Sequence, residues 1–179
     1  DRKLLRALMD APRFSGLTLT FHQDIFSPQR ETQFAALAIR VSQEETFLAF
    51  RGTDSTLVGW KEDFNMSFLD TVPAQQAALD YLTAWAAHSP GPVILGGHSK
   101  GGNLAVYAAT LASPTVRDRV KAVYNNDGPG FTKKVLTAPG YLELIPRIHS
   151  FVPQSSVVGM LLEHEDPYTV IKSRQLGIF

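Results

Sequence analysis

The sequence predicts an α/β fold, a mostly parallel sheet with helices on both faces and an N-terminal β-hairpin, and three observations carry that reading. Short apolar runs of β type alternate with helical runs along the chain. Two such runs near the N-terminus are separated only by the polar Ser42-Gln43-Glu44-Glu45. A glycine-flanked serine, Gly97-His98-Ser99-Lys100-Gly101, stands where a β-type run meets an alanine-rich helical run. That last pattern is the signature of a nucleophile elbow, and it makes the expected fold an α/β-hydrolase.

The elements follow in chain order. Gln33 to Val41 and Thr46 to Arg51 read as two strands paired in a hairpin. Pro73 to His88 reads as an amphipathic helix opened by proline, with Ala74, Ala78, Tyr81, Leu82 and Trp85 on one face, and Ser89-Pro90-Gly91-Pro92 ends it. Val93-Ile94-Leu95 is a short strand entering the elbow. Asn103 to Ala109 is a buried helix whose small residues allow close packing on a sheet. Arg119 to Tyr124, Arg147 to Val152 and Tyr168 to Lys172 are three further apolar runs of strand type. In such a sheet the site lies at the carboxyl ends of the strands.

Bulk properties bound the function. A chain of 179 residues, 44% hydrophobic, fits one domain over residues 1–179 with one sizeable core. Seventeen basic residues balance seventeen acidic ones, so no net field draws the chain to nucleic acid or to an anionic membrane. The absence of cysteine excludes disulfides, thiolate metal sites and a cysteine nucleophile, and fits a cytoplasmic location. No signal peptide and no apolar run of membrane-spanning length occurs. Asp1 is not an initiator, so the domain is expected to be truncated at that end. Neither a phosphate-loop motif nor a dinucleotide fingerprint is present, and no cofactor is expected. The cluster Glu163-His164-Glu165-Asp166 cannot turn four consecutive side chains toward one ion, so it reads as a solvated loop and no metal is expected.

A serine hydroxyl needs a base to take its proton, an acid to orient that base, and donors for the oxyanion. The elbow itself offers the backbone N–H of Lys100. A second donor is expected from Phe50-Arg51-Gly52-Thr53-Asp54, where Gly52 lets backbone approach a substrate oxygen and Thr53 can give N–H and hydroxyl; the alternative is a plain hairpin exit turn. The Lys100 ammonium, at a helix N-terminus where the dipole disfavours cations, either serves an anionic head group or a developing oxyanion, or is a tolerated surface lysine.

Phe50-Arg51-Gly52-Thr53, Gly59 to Phe64, Gly96 to Asn103 and Asn126 to Phe131, four motifs in this order, together resemble the Mbeg1-like family of bacterial α/β-hydrolases, relatives of the class 3 lipases. The resemblance runs from about Phe14 to the end. It implies that Ser99 is the elbow nucleophile and Thr53 the oxyanion residue. It also implies that Phe64, Met66, Phe68 and Leu69 lie where class 3 lipases carry a lid, as an apolar acyl-binding wall or, alternatively, as ordinary core. A Gln-His-Asp element follows the last strand in that family, and this chain reaches Phe179 without one, so truncation is expected at that end too.

For the acid, Asp127 lies just past the Val120 to Tyr124 strand in the order Ser, Asp, His; the alternative is that it caps the Asp-Gly-Pro-Gly turn. The position after the next strand offers Gln154, Ser155 and Ser156, a departure from the lipase pattern, and Glu163, Glu165 and Asp166 are weaker choices. The base is expected beyond Phe179, or otherwise at His164. His98 sits inside the elbow pointing away from Ser99, His149 sits within a strand, and His22 and His88 lie outside the site. The expected function is therefore a serine ester hydrolase acting on a small-molecule or lipid acyl ester. The rival is a catalytically silent hydrolase-fold module that binds a ligand or protein through the same pocket.

Overall fold

Among the described residues seven strands form one sheet in which each strand lies beside its neighbours in sequence. The computed structural model describes residues 2–53, 59, 65, 66, 69 and 71–173. In order the main elements are α1 (Arg2–Asp10), β1 (Thr18–Ser27), β2 (Thr32–Arg40), β3 (Thr46–Phe50), α2 (Pro73–His88), β4 (Val93–His98), α3 (Lys100–Leu111), α4 (Pro114–Arg117), β5 (Val120–Asn126), α5 (Lys133–Leu136), α6 (Pro139–Leu144), β6 (Ile148–Pro153) and β7 (Tyr168–Ile171). The expected hairpin is β2 with β3, antiparallel from Ala36 opposite Phe50 to Arg40 opposite Thr46. From β3 onward every pairing is parallel.

β1 is an additional strand, antiparallel to β2 and bulged between Thr20 and Gln23. Nearly all of it is exposed, so it lacks the apolar alternation by which a half-buried strand declares itself. By contrast β2 buries Phe34, Ala36 and Ala38, and Phe34, Phe50 and Tyr81 form a cluster of tilted and edge-on rings with centroids 5.8–6.2 Å apart. The predicted face of α2 is the buried one: Ala74, Ala78, Tyr81, Leu82 and Trp85.

Parallel connections that step each time to the next strand on the same side stack their helices on one face when the crossovers are right-handed. Accordingly α2 packs on α3 and α3 on α6. The opposite face is traced by register through Phe47 and Ile94, and through Ala49, Gly96, Tyr124 and His149. There Phe47, Ile94 and Tyr124 are half-buried and His149 is exposed, so among the described residues this face is only partly covered where the sequence predicts helices. Almost all of α3, Lys100 to Thr110, is buried. The elbow thus projects from the centre of the sheet.

Candidate active site

Ser99 joins β4 to α3 at φ 56° and ψ −132°, outside the left-handed well that non-glycine residues occasionally occupy. A conformation of this kind persists only where its surroundings over-determine it, and they do. Ser99 N–H donates to Asn126 O at 2.9 Å, and Ser99 O accepts from Gly102 N at 2.9 Å. Both motif glycines are sterically required: a Cβ on Gly97 would lie 2.4 Å from the Gly101 carbonyl carbon and 2.5 Å from Phe50 O, and one on Gly101 would lie 2.2 Å from Phe50 O. The side chain of Ser99 is half-buried, and no described residue hydrogen-bonds its Oγ. Behind it no acidic side chain occupies the first turn of α3.

The segment carrying Thr53 lies against the elbow. A Cβ on Gly52 would stand 2.6 Å from His98 O and 3.5 Å from Ser99 Cβ, so this approach needs glycine. Thr53 is the next residue along and is half-buried. Asp54, Trp60, Phe64 and Phe68 lie outside the described residues. Of the lid candidates that are described, Met66 is buried and Leu69 exposed.

Lys100 departs from both sequence expectations. It is 1% exposed, and its Nζ donates to Gln33 O at 2.8 Å and Gln33 Oε1 at 2.9 Å. An ammonium pinned inside the fold on β2 reaches neither a head group nor a developing oxyanion, and it is not a surface lysine. The oxyanion expectation for Lys100 therefore concerns its backbone N–H and not its ammonium.

His98 and Asn126 are the paired last residues of β4 and β5, so Ser99 and Asp127 leave the sheet side by side, one strand spacing of about 4.8 Å apart. Asp127 has φ 59° and is half-buried; its N–H donates to Phe151 O at 2.8 Å. Its Oδ1 accepts from the Ser156 hydroxyl, and Ser156 Oγ accepts from Gly159 N at 3.0 Å. Gly159 packs so closely that a Cβ there would lie 2.3 Å from Asp127 Oδ1. The turn-capping role considered for Asp127 is filled by Asn125, whose Oδ1 accepts from Gly128 N at 3.0 Å. Asn103, in the first turn of α3, fixes the chain beyond this turn by donating to Pro129 O and Gly130 O. The contribution of Ser156 and Gly159 has no sequence signal, since a serine in a post-strand loop is ordinary turn composition.

Among the described residues no histidine hydrogen-bonds Ser99 or Asp127. His149 is exposed and stacks on Tyr124 at 5.2 Å. His164 is half-buried with its Nε2 buried and unpartnered, in a loop held by Gly130 N to Leu161 O and Phe131 N to Glu163 O. Asp166 departs from the solvated loop that the sequence suggests. It is 4% exposed and accepts from Tyr141 Oη at 2.6 Å and Ser150 Oγ at 2.5 Å, so it is engaged in the core. The Tyr141 hydroxyl is pushed well above its ordinary value, first by burial and then by the hydrogen bond and charge of Asp166. Glu163 and Glu165 are exposed. No metal-ligating group of side chains and no membrane-spanning helix occurs among the described residues.

A mostly parallel sheet with a strained serine between strand and helix at its carboxyl edge defines an α/β-hydrolase fold. The chain belongs to the Mbeg1-like family, whose model matches residues 8–179. Similar solved structures are fungal and other lipases. Rhizomucor miehei lipase in its propeptide complex has a TM-score of 0.62 at 15% identity over 95% of this chain and 63% of that one. M37 lipase has 0.59 at 14% over 88% and 61%, and a fungal lipase-inhibitor complex 0.55 at 14% over 88% and 67%. At these identities the likeness is one of fold, and the chain spans less than two thirds of the first and second of these structures. No curated protein matches the chain in sequence.

Proposed function

We propose that this chain is a serine hydrolase of carboxylic esters, acting on a lipid or other acyl ester. The observation that carries the reading is the conformation of Ser99, φ 56° and ψ −132° with both motif glycines in backbone contact, because strain of that kind is retained where it presents a side chain for chemistry. Ser99 Oγ attacks the ester carbonyl as a histidine takes its proton. The tetrahedral oxyanion is met by the N–H of Lys100 and by Thr53, at the positive end of α3. Collapse expels the alcohol, which takes the proton back, and water then releases the acid by the same steps. Asp127 orients the histidine. With Oδ1 held by Ser156, its Oδ2 is left to accept from an imidazole N–H. Within these 179 residues the candidate for the base is His164, whose Nε2 is buried without a partner.

The second reading, a silent module that binds through the same pocket, is favoured by one observation: no described histidine hydrogen-bonds Ser99 or Asp127. Labelling with a fluorophosphonate separates the two, because only an activated serine reacts fast. The hydrolase reading expects modification of the Ser99 peptide, abolished in Ser99→Ala. An unlabelled Ser99 in the folded protein would favour the silent module.

A further inference from the structure

We propose that α1 is an interfacial anchor that docks the domain on an anionic lipid surface. Helical spacing divides its nine residues into two arcs. Leu4, Leu5, Leu8 and Met9 form one arc and are 64, 54, 39 and 66% exposed. Arg2, Lys3, Arg6 and Asp10 form the other. No residue of α1 is buried, and the hydrogen bonds of the following turn are local, such as Phe14 N to Ala11 O and Leu17 N to Phe14 O. A helix this short is marginal alone in water, and an open arc of leucine and methionine calls for cover.

Three covers can be weighed. The carboxylates beside the partly covered sheet face, Asp24 and Glu45, are already paired with Arg51 at 3.4 Å and Lys121 at 3.6 Å, so that face offers the basic arc no free match. A second copy pairing through a helix of barely more than two turns would bury far less than the ~1,200 Å² of a stable interface. An anionic bilayer satisfies both arcs at once, with the leucines at the headgroup and acyl boundary and the basic side chains on lipid phosphates. Charge supports this choice: residues 1–13 hold Arg2, Lys3, Arg6 and Arg13 against Asp1 and Asp10, in a chain of zero net charge. The Arg13 guanidinium lies 5.7 Å from the Phe14 ring centroid, which carries the same mixture of charge and apolar surface past the helix. The helix leads into β1 at Thr18, opposite Arg40, and Arg40 faces Thr46 at the start of β3. Ser99 follows the far end of the parallel strands, so α1 acts as an attachment separate from the elbow.

The test is co-sedimentation of the full chain with phosphatidylcholine vesicles containing about 30 mol % phosphatidylserine, against phosphatidylcholine alone. Two variants accompany it, Arg2→Gln/Lys3→Gln/Arg6→Gln and Leu4→Gln/Leu5→Gln/Leu8→Gln. All six positions are exposed, so both variants are expected to unfold at the wild-type temperature. Binding is expected on the anionic vesicles only and weakens with salt. At roughly five-fold per basic residue the charge variant binds about 100-fold more weakly, and the leucine variant does not bind. Absence of binding to anionic vesicles, undiminished binding by the leucine variant, or a dimer in sedimentation velocity that the leucine variant dissolves would each overturn the proposal. The readout needs no turnover, so its failure leaves the reading of Ser99 standing.

Discussion

Replacing Gly97 with alanine tests whether the elbow is held by backbone packing. The new Cβ would sit 2.4 and 2.6 Å from the carbonyl carbon and oxygen of Gly101 and 2.5 Å from Phe50 O. All three are backbone atoms, which cannot rotate aside as a side chain would, so β4 must separate from both α3 and β3. Overpacking of a closed site destabilises by about 1–3 kcal/mol, and backbone contacts put this site at the upper end. Alanine returns less than about 1 kcal/mol by restricting the unfolded chain. The net loss is about 2–3 kcal/mol, or roughly 4–12 °C in Tm for a domain of this size. The control is Gly16→Ala, whose Cβ would meet nothing within 4 Å; it should lie within about 0.5 kcal/mol of wild type. Thermal and urea unfolding followed by circular dichroism measure both. If Gly97→Ala unfolds with the stability of Gly16→Ala, the elbow is not closed by contact of Gly97 with the Gly101 and Phe50 backbone.

Three further outcomes are expected. Ser99→Gly relieves the positive φ and should raise stability by about 1 kcal/mol while abolishing fluorophosphonate labelling; a loss of stability would mean that the conformation is unstrained. Lys100→Met removes the donor to both Gln33 oxygens and should lower stability by about 2 kcal/mol in urea unfolding, yet leave Ser99 reactive in the folded protein; loss of labelling without loss of stability would return the ammonium to the site. Burial raises the hydroxyls of Tyr81 and Tyr141 above their ordinary value of 10.0. The folded state therefore keeps protons that the unfolded state releases, so stability is unaffected below about pH 10 and falls as pH rises beyond it. Tyrosinate absorbance should then appear for these two rings together with alkaline unfolding, and their ionisation in the folded protein would refute the assignment.

Sequence alone determined the parts of this protein whose physics is local. The elbow was legible because Gly97 and Gly101 serve a single turn, and the β2–β3 hairpin because a short polar link joins two apolar runs. The buried face of α2 was legible because helical periodicity repeats within sixteen residues. What the sequence left undetermined depends on partners far along the chain. Lys100 finds Gln33, sixty-seven positions away, and Asp127 finds Ser156, twenty-nine positions on; no local pattern specifies either pairing. The one-sided stacking of α2, α3 and α6 follows from the order of strands in the sheet, which periodicity does not encode. Asp166 looked solvated among charged neighbours and is buried because Tyr141 and Ser150, brought to it by α6 and β6, satisfy its carboxylate. The strained turn at Ser99 was thus written into five consecutive residues, whereas the surroundings of Lys100, Asp127 and Asp166 were decided by which distant strands and helices the fold brings together.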